Sequence, residues 1–390
     1  MSRHPDPPTP LLVSRRHALA MLTSSVSLAA CGGGGGGSNP GPSLLPPPVP
    51  PPPPPPPVTG PAWFGYGRDA QHTALSAVAS QDLGRIAWTT PVDLAPQYTP
   101  PGALLTHYGS PVVTTNNTVV IPVKTTANGV YRVEGRSGTN GTHIWSAASD
   151  YVPPPHNWKP PYNLLLIEQG RLYAPGVGGN LLMRSDANAA NGTFAPQVFH
   201  GAAQYNANPA AFDGTVFINT ALTADAQGNL LFGFEVKGTN PAGLVSGTAR
   251  VTPNGTGTLG GVAAAAGDPF IVKPVLNCAP ALSNDGATVY IAANRGATGA
   301  TQDGALRELD STTLATRASV ALIDPNLGGP ARLSDDGTAP RWWARMGACS
   351  TACWNARSEP TMPAAGCCSS MRRSIPSECP CVLAGTCCPA

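Results

Sequence analysis

Cysteine thiols are the side chains of this sequence whose placement points most directly to chemistry. The chain has 390 residues and ten cysteines. Cys31 follows an uncharged, mildly apolar run, Cys278 stands alone in the middle of the chain, and the other eight fall within the last 42 residues. A thiolate can act as a nucleophile, a metal ligand or a disulfide partner. Each of the three groups therefore needs its own interpretation.

The residues before Cys31 predict a bacterial export signal over residues 1–30. Arg15 and Arg16 precede the apolar run, which is too short and too rich in serine to cross a bilayer as a permanent helix. The arginine pair fits a twin-arginine signal as well as the general secretory route, so both export routes remain open.

The segment Leu28-Ala29-Ala30-Cys31 resembles the lipobox of bacterial lipoproteins. In that family the cysteine thiol receives a diacylglycerol and becomes the new N-terminus after cleavage. The resemblance implies a lipid on Cys31 that attaches the chain to a membrane. Position 32 is glycine rather than aspartate. By resemblance to the sorting rules of enterobacterial lipoproteins, this points to the outer membrane, at its periplasmic face or at the cell surface. A chance cysteine behind an ordinary secretory signal is the alternative.

Residues 31–61 have the composition of a disordered tether. Six glycines follow Cys31, and an unbroken proline run covers residues 50–57. Polyglycine is a flexible coil and polyproline is a stiff, extended helix. Together they would hold a folded domain away from a membrane.

Residues 62–340, the body of the chain, carry short apolar runs separated by turn residues, which favours an all-β fold. Three segments each predict a β-hairpin: 109–121, 278–291 and, more loosely, 210–218. A second pattern, at 129–145 and again at 305–314, adds two further strands. Four-stranded sheets that recur every ~40 to 50 residues predict a β-propeller over the body. A β-sandwich or a β-solenoid is the alternative.

The run WFGYGRDAQHTALS at 63–76, followed by LGRIAW at 83–88, resembles the opening of the PQQ-like (quinoprotein-type) β-propeller proteins. Residues 130–145 resemble the repeat of that family, in which a tryptophan, here Trp145, packs between neighbouring blades. Gly135 departs from the family, which has aspartate there. The resemblance implies one of two occupations: a quinone-dependent alcohol or sugar dehydrogenase, or a cofactor-free interaction platform such as the outer-membrane assembly lipoprotein.

The body shows no pattern typical of a catalytic or metal site. Its histidines lack the spacing of metal ligands, so we interpret each as a solvated loop or blade-edge residue: His72, His107, His143, His156 and His200. The glycine-rich residues 176–180 and the acidic residues 335–337 are interpreted as turns. The proline-stiffened, aromatic loop 153–162 suits a peptide or sugar contact, or a cap on a blade. We predict no catalytic residue, no metal and no cofactor.

Residues 341–390 differ in character and contain Cys349, Cys353, Cys367, Cys368, Cys379, Cys381, Cys387 and Cys388. A disulfide knot, a metal cluster and a wrong reading frame are the competing interpretations. Trp and Met have single codons, which constrains a shifted frame, and residues 340–355 can then read PVVGPDGRVFYGVLE, the hairpin pattern of the body. We interpret the tail as out of frame and disordered, which makes the paired cysteines accidental and leaves the propeller incomplete.

These features predict a lipid-anchored propeller of the cell envelope that acts as a non-enzymatic binding or assembly platform. A net charge of +2, with no basic stripe, argues against nucleic acid as a partner. We expect a monomer, attached to the membrane through Cys31, with envelope proteins or glycans as partners. One alternative is a quinone- or metal-dependent oxidoreductase of the same fold, with PQQ as cofactor. The other is a carbohydrate-binding surface lipoprotein.

Overall fold

The computed structural model describes residues 62–76, 78, 84–98, 102, 104–105, 109–127, 129–151, 162–261, 271–295, 303–323, 328–331 and 333, with the backbone of three strands in 341–371. Every described residue belongs to one compact unit, which begins at Pro52. Arg15, Arg16, Cys31 and the tether lie outside the described residues. So do His107, His156 and the acidic residues 335–337.

Antiparallel sheets follow one another along this unit. A ribbon of β1 (Gln97–Tyr98) and β2 (Leu104–Leu105) comes first. Blade 1 contains β3 (Val112–Val113), β4 (Thr118–Lys124), β5 (Tyr131–Ser137) and β6 (His143–Ala148). Blade 2 contains β7 (Leu165–Leu166), β8 (Leu172–Pro175), β9 (Leu181–Arg184) and β10 (Ala195–Gln197), with a short 3-10 helix at Val177–Gly179 between β8 and β9.

Blades 3 and 4 keep this order, but their first strand is split into two pieces that pair with the same second strand. Helices α1 (Ala202–Ala207) and α2 (Pro209–Asp213) precede blade 3, which contains β11 (Val216–Ile218), β12 (Thr223–Ala224), β13 (Leu230–Val236), β14 (Gly247–Val251) and β15 (Gly257–Gly261). Blade 4 contains β16 (Ile271–Pro274), β17 (Ala281–Leu282), β18 (Thr288–Arg295), β19 (Asp303–Asp310) and β20 (Thr316–Ala321).

The tail contributes backbone strands β21 (Arg341–Ala344), β22 (Ala348–Trp354) and β23 (Ala365–Met371), which form one three-stranded sheet. These strands belong to the sequence as given and do not test its reading frame, so the frame of the tail stays a prediction.

Four consecutive four-stranded meanders make this an all-β propeller of four-stranded blades, as the sequence predicts. Neighbouring strands in a meander run in opposite directions. The connections between second and third strands, and those between blades, therefore share one end, here named the upper end. The remaining connections lie at the lower end. Within the described ranges no helix has both the length and the apolar character that a bilayer crossing requires.

Two of the three predicted hairpins are confirmed, and the third prediction is wrong. In the first, Asn117 takes a positive φ of 61° in the turn between β3 and β4, as a tight hairpin requires. The second is β17 with β18. Residues 209–213 instead form α2, because Pro209 at its first turn and two alanines favour a helix, and Gly214 ends it.

The blades are joined by apolar side chains and by Trp145, as the resemblance implies. Trp145 is only 3% exposed, and its indole N–H donates to the Ala187 carbonyl of blade 2 at 2.9 Å. The Arg184 guanidinium lies 4.0 Å from the centre of the Trp145 ring. Gly135 beneath the ring has no side chain, and a Cβ at that position would overlap the indole.

Residues 63–72, here named the inner segment, contact the first strands of all four blades. Trp63 exchanges backbone hydrogen bonds with Val113 of blade 1, at 2.8 and 2.9 Å. The Phe64 carbonyl accepts from the Leu166 N–H of blade 2 at 2.6 Å, and the Ala70 carbonyl accepts from the Leu282 N–H of blade 4 at 2.8 Å. His72 meets the Thr223 hydroxyl of blade 3 at 3.4 Å. The inner segment therefore closes the lower end of the innermost strands.

Candidate functional site

A polar cluster of the described residues lies at the upper end, where two connections meet. One is the β8–β9 connection at 176–180, and the other is the β10–β11 connection that contains α1 and α2. None of the α1 residues is buried, so this helix is presented to solvent. Loops at one end of a rigid sheet scaffold are frequent binding positions.

Glycines in the β8–β9 connection let the two connections approach closely. Gly178 has φ +65°, a conformation that L side chains rarely adopt. A Cβ on Gly178 would lie 2.6 Å from Asp213 Oδ1 and 2.7 Å from Tyr205 Cε2. The absence of a side chain at Gly178 therefore lets Tyr205 and Asp213 pack directly against the β8–β9 connection, residues 176–180, which we name the glycine floor.

Asn180, Tyr205 and Asp213 form a hydrogen-bonded unit that we name the Tyr205 network. The Tyr205 hydroxyl donates to Asp213 Oδ1 at 2.9 Å, and the Asn180 side chain also hydrogen-bonds to that hydroxyl. Burial and the neighbouring Asp213 carboxylate raise the pKa of Tyr205 to about 12. Tyr205 is therefore a protonated donor near neutral pH, and it orients the carboxylate beside it.

His200 supports the Tyr205 network from beneath. Its Nε2 lies 3.0 Å from the Gly178 carbonyl, which can only accept, so this nitrogen carries the hydrogen. The ring stacks on Phe212, with 4.8 Å between centroids. Burial lowers the pKa of His200, which favours the neutral ring. His200 lies in the β10–β11 connection, as predicted, but the prediction that it is solvated is wrong, because the residue is only 7% exposed.

Asp150, in the connection between blades 1 and 2, borders the same floor. Its Oδ1 accepts a hydrogen bond from the Val177 N–H at 3.1 Å. Asp150 and Asp213 thus lie on either side of the β8–β9 connection, and among the described residues neither takes part in an ion pair. Each carboxylate accepts one hydrogen bond from the protein and keeps further acceptor capacity, so the surface suits ligands that donate hydrogen bonds.

Other buried charges are paired with one another. Lys124 Nζ lies 2.9 Å from Asp93 Oδ2, and Lys273 Nζ lies 3.3 Å from Glu235 Oε1. Glu134 receives Arg132 at 2.6 Å and Arg136 at 2.7 Å. Buried ion pairs of this kind give each charge a counter-charge within the fold and fix side-chain positions. The Tyr205 network is therefore the better candidate for contact with a ligand.

The other residues that the sequence singled out lie in separate parts of the described structure and do not form a common site. His72 lies outside any helix or strand but is buried in the inner segment, which corrects its interpretation as a solvated residue, while His143 is exposed on β6. Cys278 is buried between β16 and β17. Of the loop 153–162 only Tyr162 is described, and it stacks on Tyr131 at 4.8 Å. Across the described part of the chain, no group of three His, Cys, Asp or Glu residues is placed to hold a metal ion.

Sequence reasoning treated 176–180 as a turn, which is correct, but missed the Tyr205 network that this turn supports. Tyr205 and Asp213 are eight residues apart and meet Asn180 only through the packing of two connections. The sequence did carry a local signal, the glycine-rich run at 176–180. Two of its glycines, Gly178 and Gly179, adopt left-handed φ values where the turn packs against other elements.

No protein-family model and no curated protein sequence matches this chain. Among solved structures it is similar to the quinohemoprotein alcohol dehydrogenase from Comamonas testosteroni, at 14% identity and TM-score 0.46, over 76% of this chain and 46% of that chain. It is similar to a europium-containing methanol dehydrogenase at 11% identity and TM-score 0.45, over 75% and 54%. The endo-arabinase from Bacteroides thetaiotaomicron gives 14% identity and TM-score 0.33, over 67% and 94%.

The chain spans about half the length of the two dehydrogenases. It is a β-propeller, and its own strand order carries that assignment.

Proposed function

We propose that this chain is a lipid-anchored β-propeller of the bacterial cell envelope and acts as a non-enzymatic binding platform through the upper end of blades 2 and 3. The observation that carries the proposal is the Tyr205 network. It places a fixed hydroxyl, an amide and a carboxylate beside an exposed helix, on a floor of glycines. Such a rigid, polar and aromatic surface matches the chemistry of protein and glycan recognition.

The partners in this proposal are envelope proteins or glycans, contacted by a monomer that a lipid on Cys31 holds at the outer membrane. The lipobox-like segment before Cys31 supports the anchor. The nearly neutral net charge of +2 supports partners other than nucleic acid.

A photoreactive residue at Gln204, on the exposed face of α1, tests the platform in cells. We expect a discrete cross-linked product that Tyr205→Ala removes. The matched control carries the same probe at Asn254, an exposed lower-end position of blade 3, and should give no such product. Equal cross-linking from both positions, or a product that persists with Tyr205→Ala, would contradict the proposal.

The anchor has a separate test, labelling with an alkyne-bearing fatty acid. We expect label on the wild-type chain and on Cys278→Ala, and none on Cys31→Ser. Label that survives Cys31→Ser would refute lipidation at that thiol. Because this assay reads the lipid alone, its failure would leave the platform proposal standing.

Measurements on the purified protein test the alternative of a quinone-dependent oxidoreductase. Quinone absorbance, or alcohol oxidation that depends on added quinone and calcium, would overturn the platform proposal. Binding on a glycan array that is lost with Tyr205→Ala would identify the partner as carbohydrate.

A further inference from the structure

Arg68 is a buried arginine whose charge is poorly compensated. It lies in the inner segment and is 9% exposed. Its Nη1 is 3.4 Å from Asp69 Oδ2, a long contact between adjacent residues. Its Nε is buried and has no hydrogen-bond partner among the described residues. A buried cation that lacks a full set of acceptors is costly to maintain.

Asp69 cannot supply what Arg68 lacks, because its carboxylate is already engaged. Asp69 Oδ1 accepts from the Thr73 N–H at 2.9 Å, and Oδ2 accepts from the Thr73 hydroxyl. These bonds hold the carboxylate to the turn that follows it. The guanidinium therefore receives one long contact from an oxygen that already has another donor.

Arg184 shows what a satisfied buried arginine looks like in this fold. It is 1% exposed and lies against the Trp145 ring. Its three nitrogens all donate to backbone carbonyls, those of Asp186, Ala189, Asn191 and Gly192. Arg68 has no comparable set of acceptors in the described part of the chain.

The backbone fixes Arg68 in an unfavourable conformation. Its φ is +79°, a left-handed value that costs a non-glycine residue about 1 kcal/mol, and the turn is fixed by Arg68 N–H to the Gly65 carbonyl at 2.9 Å. The same turn is closed by Phe64 N–H to the Arg68 carbonyl at 3.1 Å. The side chain therefore starts from a fixed position, close to the first strands of the blades.

We propose that Arg68 binds a small oxyanion at the lower end of the innermost strands. The Nε–H and a neighbouring Nη–H of a guanidinium form a fork that matches two oxygens of a carboxylate or a phosphate. A bound oxyanion supplies the missing acceptor at Nε and the missing negative charge. This site is distinct from the Tyr205 network and does not depend on the function proposed for it.

The test uses the full chain with 15N-labelled arginine and follows the Nε–H resonances by NMR. The Arg68 resonance is the one that disappears in Arg68→Lys. We expect it to shift saturably on addition of sodium acetate or sodium phosphate at constant ionic strength, and to stay in place with sodium chloride. A larger response to one of the two anions identifies the ligand as carboxylate or phosphate.

Two variants complete the design. Arg317→Gln, which removes an exposed arginine that pairs with Asp310 at 2.7 Å, should leave the Arg68 response unchanged. Asp69→Asn keeps an oxygen for the Thr73 N–H but removes the competing charge, so acetate affinity should rise severalfold. This variant keeps the proposal testable if substitution of Arg68 prevents folding. No shift with either oxyanion, an equal shift with chloride, or unchanged affinity in Asp69→Asn would overturn it.

Discussion

Trp88 and Trp145 make the same contact with successive blades. Trp145, in the fourth strand of blade 1, donates to the Ala187 carbonyl in the turn between the third and fourth strands of blade 2, at 2.9 Å. Trp88 donates to the Gly138 carbonyl in the equivalent turn of blade 1, at 3.0 Å. The segment around Trp88 thus takes the position of an outer strand that precedes blade 1.

Trp145→Ala should cost about 3–5 kcal/mol of unfolding free energy, because it empties a site that is 97% buried between two blades. Trp88→Ala should cost less, since Trp88 is only half-buried and packs on one blade. Urea unfolding of both variants measures the difference. Equal losses would contradict an interblade role for Trp145.

Gly178→Ala should destabilise the protein more than Gly243→Ala. Both glycines have similar left-handed φ values, +65° and +63°, so the backbone strain of about 1–2 kcal/mol is shared. Only at Gly178 does the new methyl group meet Tyr205 and Asp213, whereas nothing lies within 4 Å of a Cβ on Gly243. Thermal unfolding and Gln204 cross-linking compare the two. Equal loss of stability and equal cross-linking in the two variants would contradict the claim that Gly178 makes room for Tyr205 and Asp213.

Acidification should weaken the upper end through His200. Burial lowers the pKa of His200 below its ordinary value near 6.5, so its contribution to stability is complete above that value and is lost as pH falls through the folded-state pKa. We expect His200→Gln to flatten the dependence of stability on pH between about 7 and 5. His143→Gln, on an exposed strand position, is the control. An unchanged slope in His200→Gln would refute this assignment.

Glu134→Gln should cost about 2 kcal/mol near neutral pH, because it removes the shared counter-charge of Arg132 and Arg136. Burial alone would raise the pKa of Glu134, but the hydrogen bonds and charges of the two arginines outweigh it and lower the pKa. The stabilisation is therefore present above the ordinary carboxyl pKa and lost as pH falls through the lowered value. Chemical unfolding at pH 7 and pH 3, with exposed Glu168→Gln as control, checks this. A loss that is independent of pH would show that the charge is not responsible.

The reading frame of the tail is decided by resequencing the gene through codon 340. We expect a single-nucleotide insertion or deletion there, after which the chain continues in the hairpin pattern of the body. An intact frame would restore the disulfide and metal interpretations of the eight tail cysteines.

Local signals made part of the fold predictable. Two hairpins were predictable from their turns, because asparagine and glycine accept positive φ: Asn117 in the turn between β3 and β4, and Gly286 in the turn between β17 and β18. The same reasoning failed at α2, where the pattern after Ala210 looked like a strand but Pro209 began a helix. The burial of His72 and His200 was not predictable, since residues more than 100 positions away or in another connection enclose them.

The inner segment gives this array of blades a long-range order of assembly. Repeated sheets that touch only their neighbours can open one at a time. Here, Gln71 reaches the Ser283 carbonyl, 212 residues further along the chain, and the same ten residues touch every blade in between. The inner segment is synthesised before the blades, but its last contacts can form only after blade 4 has folded. The four blades should therefore unfold in a single cooperative transition, which removal of residues 63–72 would divide into several.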